Sequence, residues 1–494
     1  MKKLVFFIGL LSTLCFSGFG QTYYYQSGDS VALARKSYSS AINDTSGVLV
    51  THAGVFTLRS SSIRTSGNSS NTDSSSLIGV NAGVLSKLAS KINFTNDTVS
   101  TTGTGANGLF ATDTNSSITM TGGSITTGNN LSHGVDASNG GSVTLTDVNI
   151  TTTGPNSPAI AAGLGGGMVN ITGGTIVGAA TTAGSPSAGI YSLGQVTVSG
   201  ASITSNGDNG ALIDANGSVN LVNTSLTSAL NGVMMQKTIQ TPLNGVSFTM
   251  SGGSLNAGSG DAFYNKGASG SINISSKAGI TQTTGNIVNT LSSGFTVFNA
   301  DKVTLAGSFV CDNTSSISIA FTDSTALNGS INPANSSVSV SLAMDLTSTW
   351  NLTAKSYVPV FTDPSGISNG SVINVSGNGF NVVYDETRRE NKYLNTKKYL
   401  LQNGGYLTCP TCALGVEDHT SAIPVKYSPN PANTVLNIVI SDPLTQKISV
   451  FNTLGVKVYE SAVSRNASID VSNWPNGLYF FTLNNQTERV IVMH

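Results

Sequence analysis

The sequence predicts an all-β protein in which a right-handed parallel β-helix solenoid is followed by a small C-terminal β-sandwich. Two observations predict the solenoid. Apolar residues alternate with Ser, Thr and Asn, which is the period-2 pattern of a strand with one buried face. The pattern recurs in about ten copies, most of them roughly 21–36 residues apart. A repeat of this kind buries its apolar face by stacking on copies of itself.

The repeat unit is clearest around Val143. Val143 and Leu145 alternate with threonines, a short turn follows, and Ile150 stands seven residues after Val143. The other copies are Phe56/Leu58/Ile63, Ile92/Phe94/Val99, Ile118/Met120/Ile125, Val169/Ile171/Ile176, Val196/Val198/Ile203, Val219/Leu221/Leu226, Phe248/Met250/Leu255, Ile272/Ile274/Ile280 and Val303/Leu305/Val310. We expect three short strands per coil, with inward columns spaced about 4.8 Å apart. A β-sandwich has similar alternation but does not repeat one spacing so often.

The N-terminus has the pattern of a secretory signal. Lys2 and Lys3 precede an apolar run, and small residues end at Gly20. We expect a signal peptide over 1–20, cleavage between Gly20 and Gln21, and no membrane span, because the apolar run is short. The remaining ranges are an N-terminal cap at 21–45, β-helix coils at 46–314, irregular final coils and a cap at 315–412, a linker at 413–423, and the sandwich at 424–494.

Composition limits the possible partners. Charged residues make up 10% of the chain and the formal net charge is −1. Nucleic acids and acidic membranes are bound through clustered Lys and Arg, so neither is an expected partner.

Cys409 and Cys412 form a CxxC motif that has several interpretations. It could be redox-active, half of a metal site, a local disulfide or a simple turn. No second CxxC is present, so we expect neither a metal nor another cofactor. In an exported protein a local disulfide is the favoured interpretation, which leaves Cys311 unpaired.

The coils offer no catalytic constellation. Between residues 100 and 290 there is no Arg and no Glu, and the Asp residues are scattered. Glycan cleavage needs paired carboxylates, or a base beside a charge-neutralising group. His133 is expected to be an exposed turn residue. The charged stretch 385–398 is the one place where a catalytic cluster could lie.

One outward column differs from the Thr, Ser and Asn of the others. It is expected to face solvent, and its candidate ligand contacts are Phe110, Asp136, Tyr191 and Tyr264. A partly aromatic ladder could stack on sugar rings or dock on a partner surface. The alternatives are that a loop or the N-terminal segment covers it, or that the register is shifted by one residue.

The last 70 or so residues carry a different set of motifs. Their anchors are Pro429, Asn430, Pro431, Asn452, Gly455, Asp470, Gly477 and Tyr479. In this order they resemble the type A C-terminal sorting domain of the type IX secretion system of Bacteroidetes. The resemblance implies the secretion machinery as a partner and a secreted or outer-surface location. The threonine- and glycine-rich coils resemble repeats of autotransporter passenger domains.

The sequence therefore predicts an adhesin-like structural or binding module with a possible glycan or cell-surface ligand, and not an enzyme. The alternative is a β-helix polysaccharide lyase or glycoside hydrolase. An inert spacer and an ice-binding surface are further hypotheses, although the Thr-x-Thr ladder is irregular.

Overall fold

The computed structural model describes residues 23–163, 165–178, 188–238, 245–412, 425–440, 446–483 and 486–494. The predicted signal peptide, its Gly20–Gln21 cleavage site and the predicted linker 413–423 lie outside these ranges. The chain divides into two compact units, residues 1–413 and 414–494. The first is a β-solenoid of about 15 turns, which confirms the predicted fold class.

Each regular coil contributes strands to three lines of parallel strands, here called faces A, B and C. Face A consists of Tyr24–Ser27, Val48–Thr51, Val84–Ser86, Leu109–Thr112, Val135–Ser138, Ile160–Ala162, Ala188–Ser192, Asn209–Ile213, Asn231–Gln236, Phe263–Lys266, Val288–Leu291 and Phe309–Cys311. Face B consists of Ser30–Ala34, Val55–Arg59, Lys91–Thr101, Ser117–Thr127, Ser142–Thr146, Met168–Thr172, Gln195–Ser199, Ser218–Val222, Val246–Ser251, Ser269–Ser275, Phe295–Asp301, Ser316–Thr322, Ser339–Met344 and Val360–Thr362.

Face C shares the second halves of the long strands Lys91–Thr101 and Ser117–Thr127 with face B. Its other strands are Ser37–Ser40, Ser62–Thr65, Asn149–Thr152, Thr175–Gly178, Ser202–Ser205, Ser225–Ser228, Ser254–Ala257 and Gly279–Gln282. A nine-stranded sheet then completes the solenoid, with Thr304–Ala306, Ala326–Gly329, Thr349–Leu352, Ser356–Tyr357, Ile367–Ser368, Ser371–Ser376, Val382–Val383, Tyr399–Gln402 and Tyr406–Thr408.

Inward side chains stack in register along the solenoid. On face B, Ile118 pairs with Val143, which pairs with Val169. These residues are completely buried and belong to one continuous apolar cluster. Burying each such side chain contributes roughly 1.5–3 kcal/mol, so the stacked columns are the main stabilising feature of the unit.

The seven-residue offset between faces B and C has a backbone cause. One or two residues with positive φ separate the two strands of a regular coil, for example Asp147 at φ 53°, or Gly173 and Gly174 at φ 69° and 84°. Glycine, Asn and Asp adopt this left-handed conformation most readily, which explains why they recur at this corner.

Two expectations about the coils differ from the structure. Residues 24–40, placed in a cap by the sequence, contribute strands that pair in register with Val48–Thr51, Val55–Arg59 and Ser62–Thr65. The tenth copy was assigned wrongly. Its face B strand is Phe295–Asp301, and Leu305 lies on the next line, paired with Leu327.

The helices are short. An α-helix covers Thr72–Ile78, and two 3₁₀ helices cover Pro364–Gly366 and Arg389–Leu394. The side chain of Asn71 caps the α-helix by accepting a hydrogen bond from the Ser74 amide, and Gly79 ends it in a left-handed conformation.

The second unit has two antiparallel sheets. One contains Val425–Ser428, Val435–Ile440 and Asn466–Asp470, and the other contains Gln446–Asn452, Lys457–Val463, Gly477–Leu483 and Gln486–Val492. Its apolar core is separate from that of the solenoid and includes Leu436, Val450 and Phe481.

Candidate functional site

The outward-facing side chains along the middle of face A form the column that the sequence singled out, here called the face A column. Parallel pairing places its members directly beside one another. In order they are Leu49, Leu85, Phe110, Asp136, Ala161, Tyr191, Leu212, Met234, Tyr264, Asn289 and Val310. The predicted register is therefore correct here, but the environment changes along the column.

The first part of the column is covered. Phe110 is completely buried in a small cluster with Ala82 and Leu85. The segment between Thr65 and Val84, which contains the helix Thr72–Ile78, folds over it. The Ser75 hydroxyl donates to the Gly105 carbonyl, and the Ser138 hydroxyl donates to the Leu77 carbonyl at 2.8 Å. Phe110 does not face solvent. The alternative in which a loop covers the column is correct at this position, because this long connection packs on the outside of face A.

His133 and Asp136 form a buried polar pair in the next coil. The distance between His133 Nδ1 and Asp136 Oδ2 is 2.8 Å, and the residues are 7% and 2% exposed. The expected exposed positions of both residues were therefore wrong. Burial raises the pKa of the Asp136 carboxyl, and the hydrogen bond and charge of His133 oppose that shift. Asp136 Oδ1 has no hydrogen-bond partner among the described residues.

From Tyr191 onward most of the column is half-buried, although Leu212 is buried at 5% exposure. Tyr191, Met234, Tyr264, Asn289 and Val310 are all partly accessible. Burial raises the pKa of Tyr191 to about 12, with further increases from the negative charges of Asp214 and Asp136. Its phenol is therefore protonated at neutral pH and can donate a hydrogen bond.

Asp214 lies at the end of the strand Asn209–Ile213 and is completely buried. Its Oδ1 accepts from the amides of Ala215 and Thr238, while Oδ2 accepts from Gln236 Nε2 and the Thr238 hydroxyl. Its oxygens are thus occupied by hydrogen bonds within the protein.

The backbone positions of Asp136 and Asp214 are separated along face A. Asp136 and Tyr191 are two strands apart in the pairing order, and Leu212 on the strand preceding Asp214 is one strand further. Three strand spacings correspond to about 14 Å. Glycosidase carboxyl groups stand roughly 5–9.5 Å apart, which is less than the separation of these two backbone positions.

A cleft of about 220 Å³ opens at the corner where face A turns into face B. The residues that line it are Ala215, Gln236, Lys237, Gly245, Val246, Gly267, Ala268, Ser269, Ser293 and Phe295. The ring of Phe295 is 44% exposed and Lys237 is also exposed. This cleft is not predictable from the sequence pattern, because its lining comes from four successive coils.

Near the end of the solenoid, Cys409 and Cys412 form a disulfide, which is one of the interpretations that the CxxC motif left open. Cys311 is a buried free thiol, and burial raises its pKa to about 11. In the charged stretch 385–398, Asp385 pairs with Arg388 at 3.1 Å. Within the described ranges, no three His, Cys, Asp or Glu side chains come together as metal ligands.

In the second unit the predicted motif residues mostly fix turns. Asn430 Oδ1 accepts from the Ile491 amide, and its Nδ2 donates to the Arg489 carbonyl. Asn452 Oδ1 accepts from the amides of Leu454 and Val456, with Gly455 at φ 75°.

The remaining motif residues lie around the adjoining strands. Asp470 Oδ1 accepts from the Ser472 amide at 2.9 Å, and the buried Tyr479 donates from its hydroxyl to the Pro475 carbonyl. Pro429 and Pro431 follow cis peptide bonds, and Gly477 begins its strand. The motif is thus a set of structural contacts that hold one small sandwich.

Residues 427–493 match the family model described as the secretion system C-terminal sorting domain. This segment is a type IX sorting domain. The sorting domain marks the protein for secretion and cell-surface attachment and implies contact with the type IX machinery. Among described residues, no helix is long and apolar enough to cross a membrane.

One solved structure has a weak similarity to this chain. The tailspike protein of E. coli bacteriophage HK620, solved with a pentasaccharide, is 10% identical and aligns with 94% of this chain and 85% of its own, at a TM-score of 0.22. A likeness of that size carries no argument about function. No curated protein matches the sequence.

Proposed function

We propose that this secreted β-helix protein is an adhesin-like module that binds glycans through the open part of the face A column. The observation that carries the proposal is the half-buried ladder that includes Tyr191, Met234 and Tyr264. Aromatic faces bind sugar rings through their apolar sides, and half-buried rings lose little side-chain entropy when they do so.

The spacing of the ladder supports an extended ligand. Tyr191 and Tyr264 are three strands apart, which is about 14 Å along the solenoid. A short oligosaccharide spans that distance, and the partly accessible Met234 supplies an apolar contact between the two rings. The tyrosine hydroxyls add hydrogen-bond donors at the ends of the contact.

The test replaces both rings. The purified protein carrying Tyr191→Ser and Tyr264→Ser is expected to lose glycan-array and cell binding. Each single variant should weaken binding by about tenfold, which corresponds to ~1.4 kcal/mol. Tyr25→Ser, which removes an exposed ring from the first coil, is the matched control and should bind normally. Unchanged binding by the double variant would rule the proposal out.

A polysaccharide-degrading enzyme is the second candidate function. The buried His133–Asp136 pair, with one carboxylate oxygen unpartnered in the described part of the chain, is the observation that favours it. If this function is correct, the protein depolymerises a bound glycan and His133→Ala abolishes the cleavage. If His133→Ala has no effect on either cleavage or binding, the pair is structural.

A further inference from the structure

We propose that the ligand of the face A column is an acidic polysaccharide, whose sugar carboxylates are held by Lys237 and Lys266. This inference rests on the proposed glycan-binding function and narrows it to one chemical class. It is carried by where the few basic residues of the coils are placed.

Basic residues are scarce in this part of the solenoid, and two of them come together. Between residues 100 and 290 the chain has three lysines and no arginine. The strand pairing sets Lys266 beside Gln236, the residue that precedes Lys237. Two of the three cations therefore stand at one end of two adjacent strands of face A.

Lys266 is also next to the aromatic ladder. It lies two residues after Tyr264 on the same strand, and the alternating burial of Phe263–Lys266 points both side chains outward. Two residues along a strand span about 7 Å. A sugar ring stacked on Tyr264 would thus have its substituents within reach of the Lys266 ammonium group.

Both lysines are free to bind an external anion. They are exposed, and no ion pair joins either one to any residue in the described portions of the chain. The carboxylates nearest in the register are engaged elsewhere. Asp214 accepts the four hydrogen bonds described above, and Asp261 accepts from Asn286 and Asn289.

The corner cleft supplies the rest of the contact surface. Lys237 lines it together with the exposed ring of Phe295 and the hydroxyl groups of Ser269 and Ser293. A cation, an aromatic ring and hydroxyl groups at one concave corner suit a sugar that carries a carboxylate. A neutral sugar would leave the lysines without a charged partner.

The test compares charged and neutral polymers. Binding of the purified protein to polygalacturonate and to alginate is measured by calorimetry, with dextran of similar length as the neutral probe. We expect selective binding of the acidic polymers and weaker binding as salt is raised. Lys237→Gln and Lys266→Gln should each weaken binding about fivefold, and the double variant roughly twenty-fold.

A variant with the same net charge provides the control. Lys91→Gln with Lys277→Gln removes two exposed lysines from elsewhere in the coils and should bind like the wild type. If dextran binds equally well, or if the Lys237/Lys266 double variant binds acidic polymers normally, the inference is wrong while glycan binding stands. If none of the polymers binds and the glycan array is also blank, the proposed function itself fails.

Discussion

Some side chains on the outer side of face A are buried, and the alternation of apolar and polar residues does not predict this. His133 and Phe110 were expected in solvent, yet each is less than a tenth exposed. Alternation predicts the side of a strand on which a side chain lies, and the outward side of the face A column was predicted correctly. It does not tell what covers the outer side. The signal for a cover was the long gap between Ile63 and Ile92, with Asn71 as a helix cap.

The raised pKa of Asp136 makes a prediction about pH. In the unfolded chain this carboxyl ionises near 3.8, and in the folded protein it ionises at a higher pH. As pH rises between those values, the unfolded state gains charge first, so the contribution of Asp136 to folding stability is lost. The variant Asp136→Asn does not titrate, so its stability relative to wild type should increase as pH rises from about 3.8.

This comparison is made by measuring Tm for both proteins across the acidic range in one buffer system. The slope of the Tm difference against pH is the test, because the net upward pKa shift of Asp136 already includes the opposing contribution of His133. Asp29→Asn, at an exposed position, is the control for removal of one carboxylate. A difference that stays flat or falls with rising pH would contradict the assignment.

At the scale of elements, the number of residues at the corner between faces B and C sets the frame. Most corners keep an apolar offset of seven, whether one residue has positive φ, as at Asp147, or a glycine pair does, as at Gly173 and Gly174. The corner at Ser276 and Lys277 has one more residue, and the offset there is eight, from Ile272 to Ile280. Phe298 and Leu305 keep the offset of seven across the single left-handed residue Lys302.

A fixed frame of seven therefore could not find every coil. The final coils seemed irregular in the sequence because the offset from Ile319 to Leu327 is again eight, across Asp323 and Ser324. Val303 and Val310 are also seven residues apart, although they do not lie on faces B and C. Such chance matches arise because apolar residues alternate at period 2 in every strand. The sequence thus predicts the period of the solenoid. It does not predict the number of residues at each corner, which determines the face to which a strand belongs.

Two glycines at this corner separate steric from conformational effects. Both have positive φ, but a Cβ on Gly174 would lie 2.2 Å from the Val148 carbonyl oxygen, whereas a Cβ on Gly200 would meet open space. Gly200→Ala should cost about 1–2 kcal/mol of unfolding free energy from the backbone conformation alone. Gly174→Ala should cost distinctly more. Urea unfolding measures both, and equal losses would contradict this account of the corner.

At the scale of the whole molecule, the solenoid and the sorting domain have separate apolar cores. The solenoid of about 15 turns forms a rod of roughly 70 Å at one strand spacing per turn, which suits display of a long ladder. The sorting domain is a small sandwich whose motif residues serve its own turns. The family of the sorting domain could be predicted from the sequence, because its motif residues occur in a fixed order within one short segment. Of the proposed ligand surface, the face A column was predicted from the repeat, whereas the corner cleft was not, since its lining comes from separate coils.

The chain carries one natural reporter of unfolding in each unit. Of its two tryptophans, Trp350 is buried in the solenoid, where its Nε1 donates to the Gly329 carbonyl at 3.0 Å. Trp474 packs against Tyr479 and Phe481 in the sorting domain. Trp474→Phe leaves fluorescence that reports the solenoid alone, and Trp350→Phe leaves fluorescence that reports the sorting domain alone.

We expect the two single-tryptophan variants to unfold at different urea concentrations, because neither apolar cluster includes residues of the other unit. The solenoid signal should also have the larger m-value, since m scales with the surface exposed on unfolding. Circular dichroism of the wild type, which monitors both units, should then show two steps. Coincident midpoints and equal m-values for the two variants would mean a single cooperative unit and would contradict the separation of the cores.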